Sequence, residues 1–453
     1  MIAPKSTKFL SASGQLGYGI PVPALERGIA HEPDMIGADM GSVDPGPAYL
    51  GMGRMATDPT ITKRDLTLVL EGARALDVPL VLGSAGTAGA RPHLDAAAAI
   101  IREIAAEKGL SFKLATIAAD IPHDRVLEAR RADALTPLGA FEIPSEDEIR
   151  DTPHIVAQMG EPPIAEALAE GADVIIAGRA CDTAIYSAFA ASRGHDRALS
   201  AHMAKIIECA SLCCDPGGRD AMLATLDADG FVLDSMNASR NATPTSVAAH
   251  ALYEQADPYT VTEPDGILDL SQARYEAVDE HRVRVSGAQW TDTGPSLKLE
   301  GAAPAGHRTV YFAGSSDPRV IARIETIWAE VRDVVSDLAG DNAGELLRAR
   351  FYGLNGVIGW PDPPEVMPRE IGILIECVAP TAERAKSVLT VAKQYLLHHG
   401  FPGRLSTAGN IAFPFTPPEL DAGPAWRFSL HHVMPLSDAR ELKSLFPITY
   451  EDI

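Results

Sequence analysis

The segment Asp173-Val-Ile-Ile-Ala-Gly178 constrains this chain more than any other. It is short, wholly apolar in its middle and closed by glycine, with helical patterns before it at 163–170 and after it at 183–191. A strand without a polar face has to be covered on both sides, which is the condition of an interior strand in a parallel sheet flanked by helices. The same grammar runs from about residue 60 to 200. Helical spacing over 65–75 precedes the apolar run 78–82, and helical spacing over 95–108 precedes the strand-like 112–117. The spacing therefore predicts an α/β domain built on a parallel sheet.

Beyond residue 300 the order changes. Residues 309–313 read as strand, 318–336 as helix, 348–358 and 370–378 as extended, 381–399 as helix and 426–433 as extended. That succession is the split βαβ order of a ferredoxin-like α/β sandwich. Pro, Gly, Asn and Asp are frequent between 215 and 300, so the boundary is placed there. The expected division is an α/β domain over 1–235 carrying Gly-rich site loops, and an α+β ferredoxin-like domain over 236–453 that covers the cleft.

Charge narrows the partners. Lys and Arg number 39 against 61 Asp and Glu, a net charge of −22, which repels nucleic acid and anionic membrane. The first twenty residues hold no signal-like apolar core, and no apolar run of about 18 residues occurs. A cytosolic protein is expected. Its five cysteines, odd in number, read as reduced thiols rather than a disulfide framework.

Two glycine-rich stretches and the end of the strongest strand could carry chemistry. The first, 37–51, places Asp39, Ser42 and Asp44 in one turn-rich loop: two acids for proton transfer and a hydroxyl for binding. The second, 83–93, joins a strand to a helix N-terminus. There Ser84, Gly86 and Thr87 would meet an anion such as a carboxylate or a thioester oxyanion. Its glycine spacing is neither Gly-x-Gly-x-x-Gly nor a P-loop, so neither nicotinamide nor flavin is expected. The third follows the strongest strand, with Arg179 as a carboxylate clamp and Asp182 as a general acid or base at the carboxyl end of the sheet.

Further on, His202, Cys209 and Cys213 fall near one helix face at about 100° per residue, which makes His202 a metal candidate. The plainer reading buries the cysteines as core and turns His202 and Glu208 toward a polar cleft. Thr407 and Asn410 flank a glycine in a loop suited to closing a site from the second domain.

Taken together, Ser13-Gly-Gln-Leu-Gly-Tyr-Gly19, Gly41-Ser-Val-Asp-Pro-Gly-Pro47, Gly83-Ser-Ala-Gly-Thr-Ala-Gly89, Ile206-Ile-Glu-Cys-Ala210, Ala249-His-Ala-Leu-Tyr-Glu254 and Thr407-Ala-Gly-Asn-Ile-Ala-Phe-Pro-Phe415 resemble the acyclic terpene utilisation (AtuA-type) family. The resemblance implies a cytosolic bacterial catabolic protein associated with branched acids and acyl-CoA intermediates. It implies no particular reaction. One departure is that Cys209 is followed by Ala-Ser-Leu-Cys-Cys, where the family pattern has glycine.

The expectation is an enzyme acting on a small carboxylate or acyl thioester, a lyase or hydratase that moves a proton next to a carbonyl. Asp39 or Asp44 would be the base, Asp182 or Glu208 the acid, and Arg179 with the 84–89 loop would hold the substrate oxygen. A divalent metal could stabilise an enolate, with His202, Asp39 and Asp44 as candidate ligands. Two alternatives stand beside it: a hydrolase or amidase with Ser42 or Ser84 as nucleophile, and a non-catalytic ligand-binding subunit of a catabolic complex. A homo-oligomer is the default for a catabolic enzyme of this size.

Overall fold

The computed structural model describes residues 5–253, 257–340, 342–359, 366–405 and 408–453. The chain divides into two compact units, Met1–Ala303 with Phe428–Ile453, and Pro304–Arg427.

The first unit is built on a ten-stranded sheet. Its centre is parallel, in the order Thr7–Ser11, Met35–Asp39, Leu80–Gly83, Val174–Ala177 and Lys113–Ile117. These strands are buried along almost their whole length, as their lack of a polar face requires. Alternation sends Leu80 and Leu82 to one face, with Leu94, Ala97, Ile101 and Ile104 of the helix Arg91–Lys108. Val81 and Ile175 face the other way, with Ile185, Tyr186 and Phe189 of the helix Ala184–Ser192. Two neighbouring strands thus send their following helices to opposite faces. Their loops part at the carboxyl end of the sheet, and this crevice is where open α/β sheets bind ligands.

Four antiparallel strands extend the sheet beyond Thr7–Ser11: Met222–Leu226, Phe231–Ser235, Arg282–Ser286 and Arg274–Ala277. They correct the boundary expected at 235/236, since Leu233 pairs with Val283 directly across it. The turn-forming residues of this region close hairpins instead of linking domains. A separate three-stranded sheet, Thr260–Glu263, Gly266–Asp269 and Gln289–Asp292, packs Val261 and Leu268 on Ala198 and Ala201 of the helix Arg197–Ile207.

The second unit has the ferredoxin-like order. It takes the second half of the strand Ser296–Ser315, the helix Ile324–Ala339, the strands Leu347–Tyr352 and Ile371–Ala379, the helix Ala382–His398 and the start of the strand Leu420–Pro435. The sheet order is Leu347–Tyr352, Ile371–Ala379, Ser296–Ser315, Leu420–Pro435. Strict alternation along Ile371–Ala379 buries Ile373 and Ile375 against Trp328, Val331, Val388 and Leu389 of the two helices.

Candidate active site

The carboxyl ends of the central strands place the site. Asp39 is the last residue of its strand, and its Oδ2 accepts the N–H of Gly41 at 3.0 Å. Gly41 has φ +149°, and a Cβ there would lie 2.5 Å from the Thr87 Cα, so only glycine lets these two loops touch. Gly89 closes the other side in the same way, for a Cβ would fall 2.1 Å from the Arg179 nitrogen. Residues 81–90 are buried throughout, which makes this part of the second glycine-rich stretch a packed inner wall. Thr87 Oγ1 there accepts from the Ala56 N–H at 2.9 Å, and the turn at Gly86 packs on the His93 carbonyl.

Arg179 lies on this wall, and its partner was not foreseen. Its Nε donates to Glu300 Oε2 at 2.7 Å and its Nη2 to Glu300 Oε1 at 3.3 Å. Nη1 donates to Ser84 Oγ at 3.1 Å. Burial alone would raise the Glu300 carboxyl, but Arg179 and then Lys298, whose Nζ lies 3.3 Å from Oε1, together hold the group below its ordinary value. The carboxylate that Arg179 clamps is therefore the protein's own. Ser84 in turn accepts from a guanidinium, and neither a histidine nor a carboxylate bonds to it among the described residues, so nothing there would take its proton.

Three carboxyls gather beside this pair. Asp39 is held well above its ordinary value by burial and then by the charge of Asp182. Asp182 keeps 38% of its side chain accessible yet sits deep among protein groups; burial raises it and Arg179 opposes the shift, its Nη1 lying 3.9 Å from Asp182 Oδ1. Glu208 is pushed up to about 8 by burial, against the opposing charge of Lys205, whose Nζ is 2.7 Å away. One oxygen of Asp39 and one of Asp182, Oδ1 in both, has no hydrogen-bond partner among the described residues. Buried oxygens of this kind ordinarily find a partner, so these two are where a ligand would dock.

The other candidates lie apart from this cluster or have structural duties. Ser42 Oγ donates to Asp44 Oδ2 at 2.8 Å and accepts the Asp44 N–H, a turn at the exposed rim from which the Asp44 charge still reaches Asp182. His202 lies edge-on to Phe231 and Tyr275 with Nε2 3.3 Å from the Tyr275 hydroxyl, and burial alone lowers its ring to about 3. No charged group contributes to that shift, which separates His202 from Asp39 and Asp44. Among the described residues no three His, Cys, Asp or Glu side chains come together to hold a metal ion, so the expected ligand set does not fit one. Asn410 belongs to the second unit, where its Nδ2 donates to the Leu396 and His399 carbonyls and its Oδ1 accepts from Arg404, closing the end of the helix Ala382–His398. Its side-chain amide is a helix cap, in place of the expected substrate contact. Thr407 lies outside the described residues.

Besides Glu300, sequence reasoning missed Lys205 and Glu263. Alternation along 297–300 groups Glu300 with Lys298, away from Leu297 and Leu299, and so disguises it as a surface charge. Lys205 did carry a signal, standing three residues before Glu208 on one helix face.

Comparison with curated proteins found no match, nor did comparison with solved structures. The model of the acyclic terpene utilisation family protein AtuA matches residues 81–414, most of the chain, and the protein therefore belongs to that family.

Proposed function

We propose that this protein is an acid/base enzyme of the lyase or hydratase type, acting on an acyl thioester at the carbon next to its carbonyl. The observation that carries this reading is the set of three carboxyls with raised proton affinity, Asp39, Asp182 and Glu208, two of them with an unpartnered oxygen. Buried carboxyls with raised proton affinity suit general acid–base catalysis. Asp182, for which the Arg179 charge is the chief opposition to burial, serves as base and removes the proton on carbon. Asp39, in its neutral form, protonates the leaving hydroxyl, which departs as water; the reverse order adds water.

The ion pairs select the substrate class. Arg179 is tied to Glu300 and Lys205 to Glu208, so neither buried cation is free for a substrate carboxylate. A neutral carbonyl, as in a thioester, avoids burying an uncompensated negative charge among the acids. Acyclic terpenes carry methyl branches, so the family's terpene-utilisation description supports a branched acyl group. Ser84 is unsuited as a nucleophile because of its Arg179 donor.

The test is deuterium wash-in from D2O next to the carbonyl of branched 2-enoyl and 3-hydroxyacyl thioesters, followed by mass spectrometry. Exchange that falls by about 100-fold or more in Asp182→Asn, with circular dichroism unchanged, is expected. Folded wild-type protein that exchanges no member of the panel overturns the reading.

A further inference from the structure

We propose that Glu263 is a positioning residue for the base: it holds the side chains of Cys181 and Thr183, and so fixes Asp182, the residue between them. The inference rests on the acid/base reading above and adds to it what keeps the base in place.

The Asp182 side chain is not held by bonds of its own. Among the described residues no hydrogen bond reaches it; its Oδ1 is unpartnered and the Arg179 Nη1 stands 3.9 Å away. A short side chain with few rotamers goes where its backbone points it, so the conformation of 181–183 decides where the carboxylate lies. Upstream, the backbone is tied by the Met159 N–H to the Arg179 carbonyl at 3.1 Å and by the Cys181 N–H to the Met159 carbonyl at 2.8 Å. Downstream, it enters the helix Ala184–Ser192.

Glu263 supplies the side-chain contacts in between. It is 8% exposed, and its Oε2 accepts from Thr183 Oγ1 at 2.9 Å and from Cys181 Sγ at 3.1 Å. One oxygen thus holds both chain neighbours of Asp182. Thr183 stands at the N-cap of its helix, where a threonine hydroxyl ordinarily accepts an N–H of the first turn. It makes no such bond and donates to Glu263 instead. The local preference of the helix is given up for a contact 80 residues away.

The far end of this contact is itself firm. Glu263 pairs with Gly266 across a tight hairpin, and a Cβ on Gly266 would collide with the Trp290 ring. Between the two, the Pro264 carbonyl accepts the Ser296 N–H at 2.7 Å and Asp265 pairs with Arg197. Burial pushes the Glu263 carboxyl up to about 7. Charged or neutral, a carboxyl oxygen keeps lone pairs for two donors, so the contact needs an acceptor and not a charge.

The experiment is a double-mutant cycle on the deuterium wash-in, reading kcat, KM and the urea midpoint for Glu263→Leu and Glu263→Gln, and for Glu263→Leu within Asp182→Asn. Glu263→Leu is expected to lower kcat by about 10-fold or more with KM unchanged, because a small misplacement of a reacting group slows the reaction without weakening binding. Glu263→Gln, whose amide oxygen accepts the same two bonds, should recover most of that loss. In the Asp182→Asn background Glu263→Leu should cost nothing further, since it acts through Asp182; a general loosening of the fold would slow both backgrounds alike. If Glu263→Leu does not fold, Thr183→Val against Thr183→Ser makes the same comparison, the first slowed and the second recovering. Wild-type kcat in folded Glu263→Leu, equal losses in Glu263→Leu and Glu263→Gln, additive losses in the double variant, or equal rates in the two Thr183 variants overturn the positioning role and leave the acid/base reading standing. No exchange in the wild type overturns both.

Discussion

Arg179 and Glu300 form an ion pair closed off from solvent, Nε to Oε2 at 2.7 Å, with side chains 3% and 0% exposed. Each would be costly alone in that position, and together they tie the loop after Val174–Ala177 to the strand that carries Glu300. A pair of this kind contributes little net stability, but removing one partner strands the other.

Glu300→Ala is therefore expected to destabilise the protein by about 3–5 kcal/mol, measured by urea unfolding. The double variant Glu300→Leu with Arg179→Met should recover much of the loss, because it strands neither partner of the fully buried pair. Equal losses in both would show that the pair is not what holds the loop.

Asp65 is fully buried and accepts from three backbone N–H groups, Gly17 at 3.0 Å and Gly19 and Ile20 at 2.9 Å. Hydrogen bonds to a charged acceptor contribute roughly 1.5–3 kcal/mol each. Asp65→Ala should release residues 16–21, seen as faster amide exchange confined to that loop. Unchanged protection there would contradict the anchor.

His202 gives a prediction in pH. Its folded value near 3 lies below the ordinary 6.5, so between those values the unfolded chain binds a proton that the folded chain refuses. Stability then falls as pH drops from about 6.5 toward 3, by up to about 1.4 kcal/mol per pH unit. Glu208 works in the opposite sense, since its raised value costs stability as pH climbs from about 4.5 to 8. Compared with wild type, His202→Gln should show a flatter decline below pH 6; an identical acid limb would place the sensitivity elsewhere.

Asn410 separates a cap from a binding residue. Its side chain makes three hydrogen bonds at the end of the helix Ala382–His398, so Asn410→Ala should cost about 2–3 kcal/mol. The loss should appear in the unfolding of the second unit, and the apparent KM for any thioester that exchanges should stay constant. A raised KM with unchanged stability would return Asn410 to the substrate.

By itself the sequence determined the two architectures, because periodicity and burial are local properties. An apolar run such as 174–177 has no other place than the interior of a sheet, and the βαββαβ order of the second unit is written in its alternation. It also placed Asp39 and Asp182 at the ends of central strands, as the structure has them. Tertiary structure alone decided their partners. Glu300 reaches Arg179 across 121 residues, and Glu263 reaches Thr183 across 80. The extension of the sheet past residue 235 was hidden for the same reason, since strand pairing is a relation between distant segments. Proton affinity follows from burial and from neighbouring charge. Both arise only when the chain closes on itself, so the chemistry of this site becomes readable only in the folded molecule.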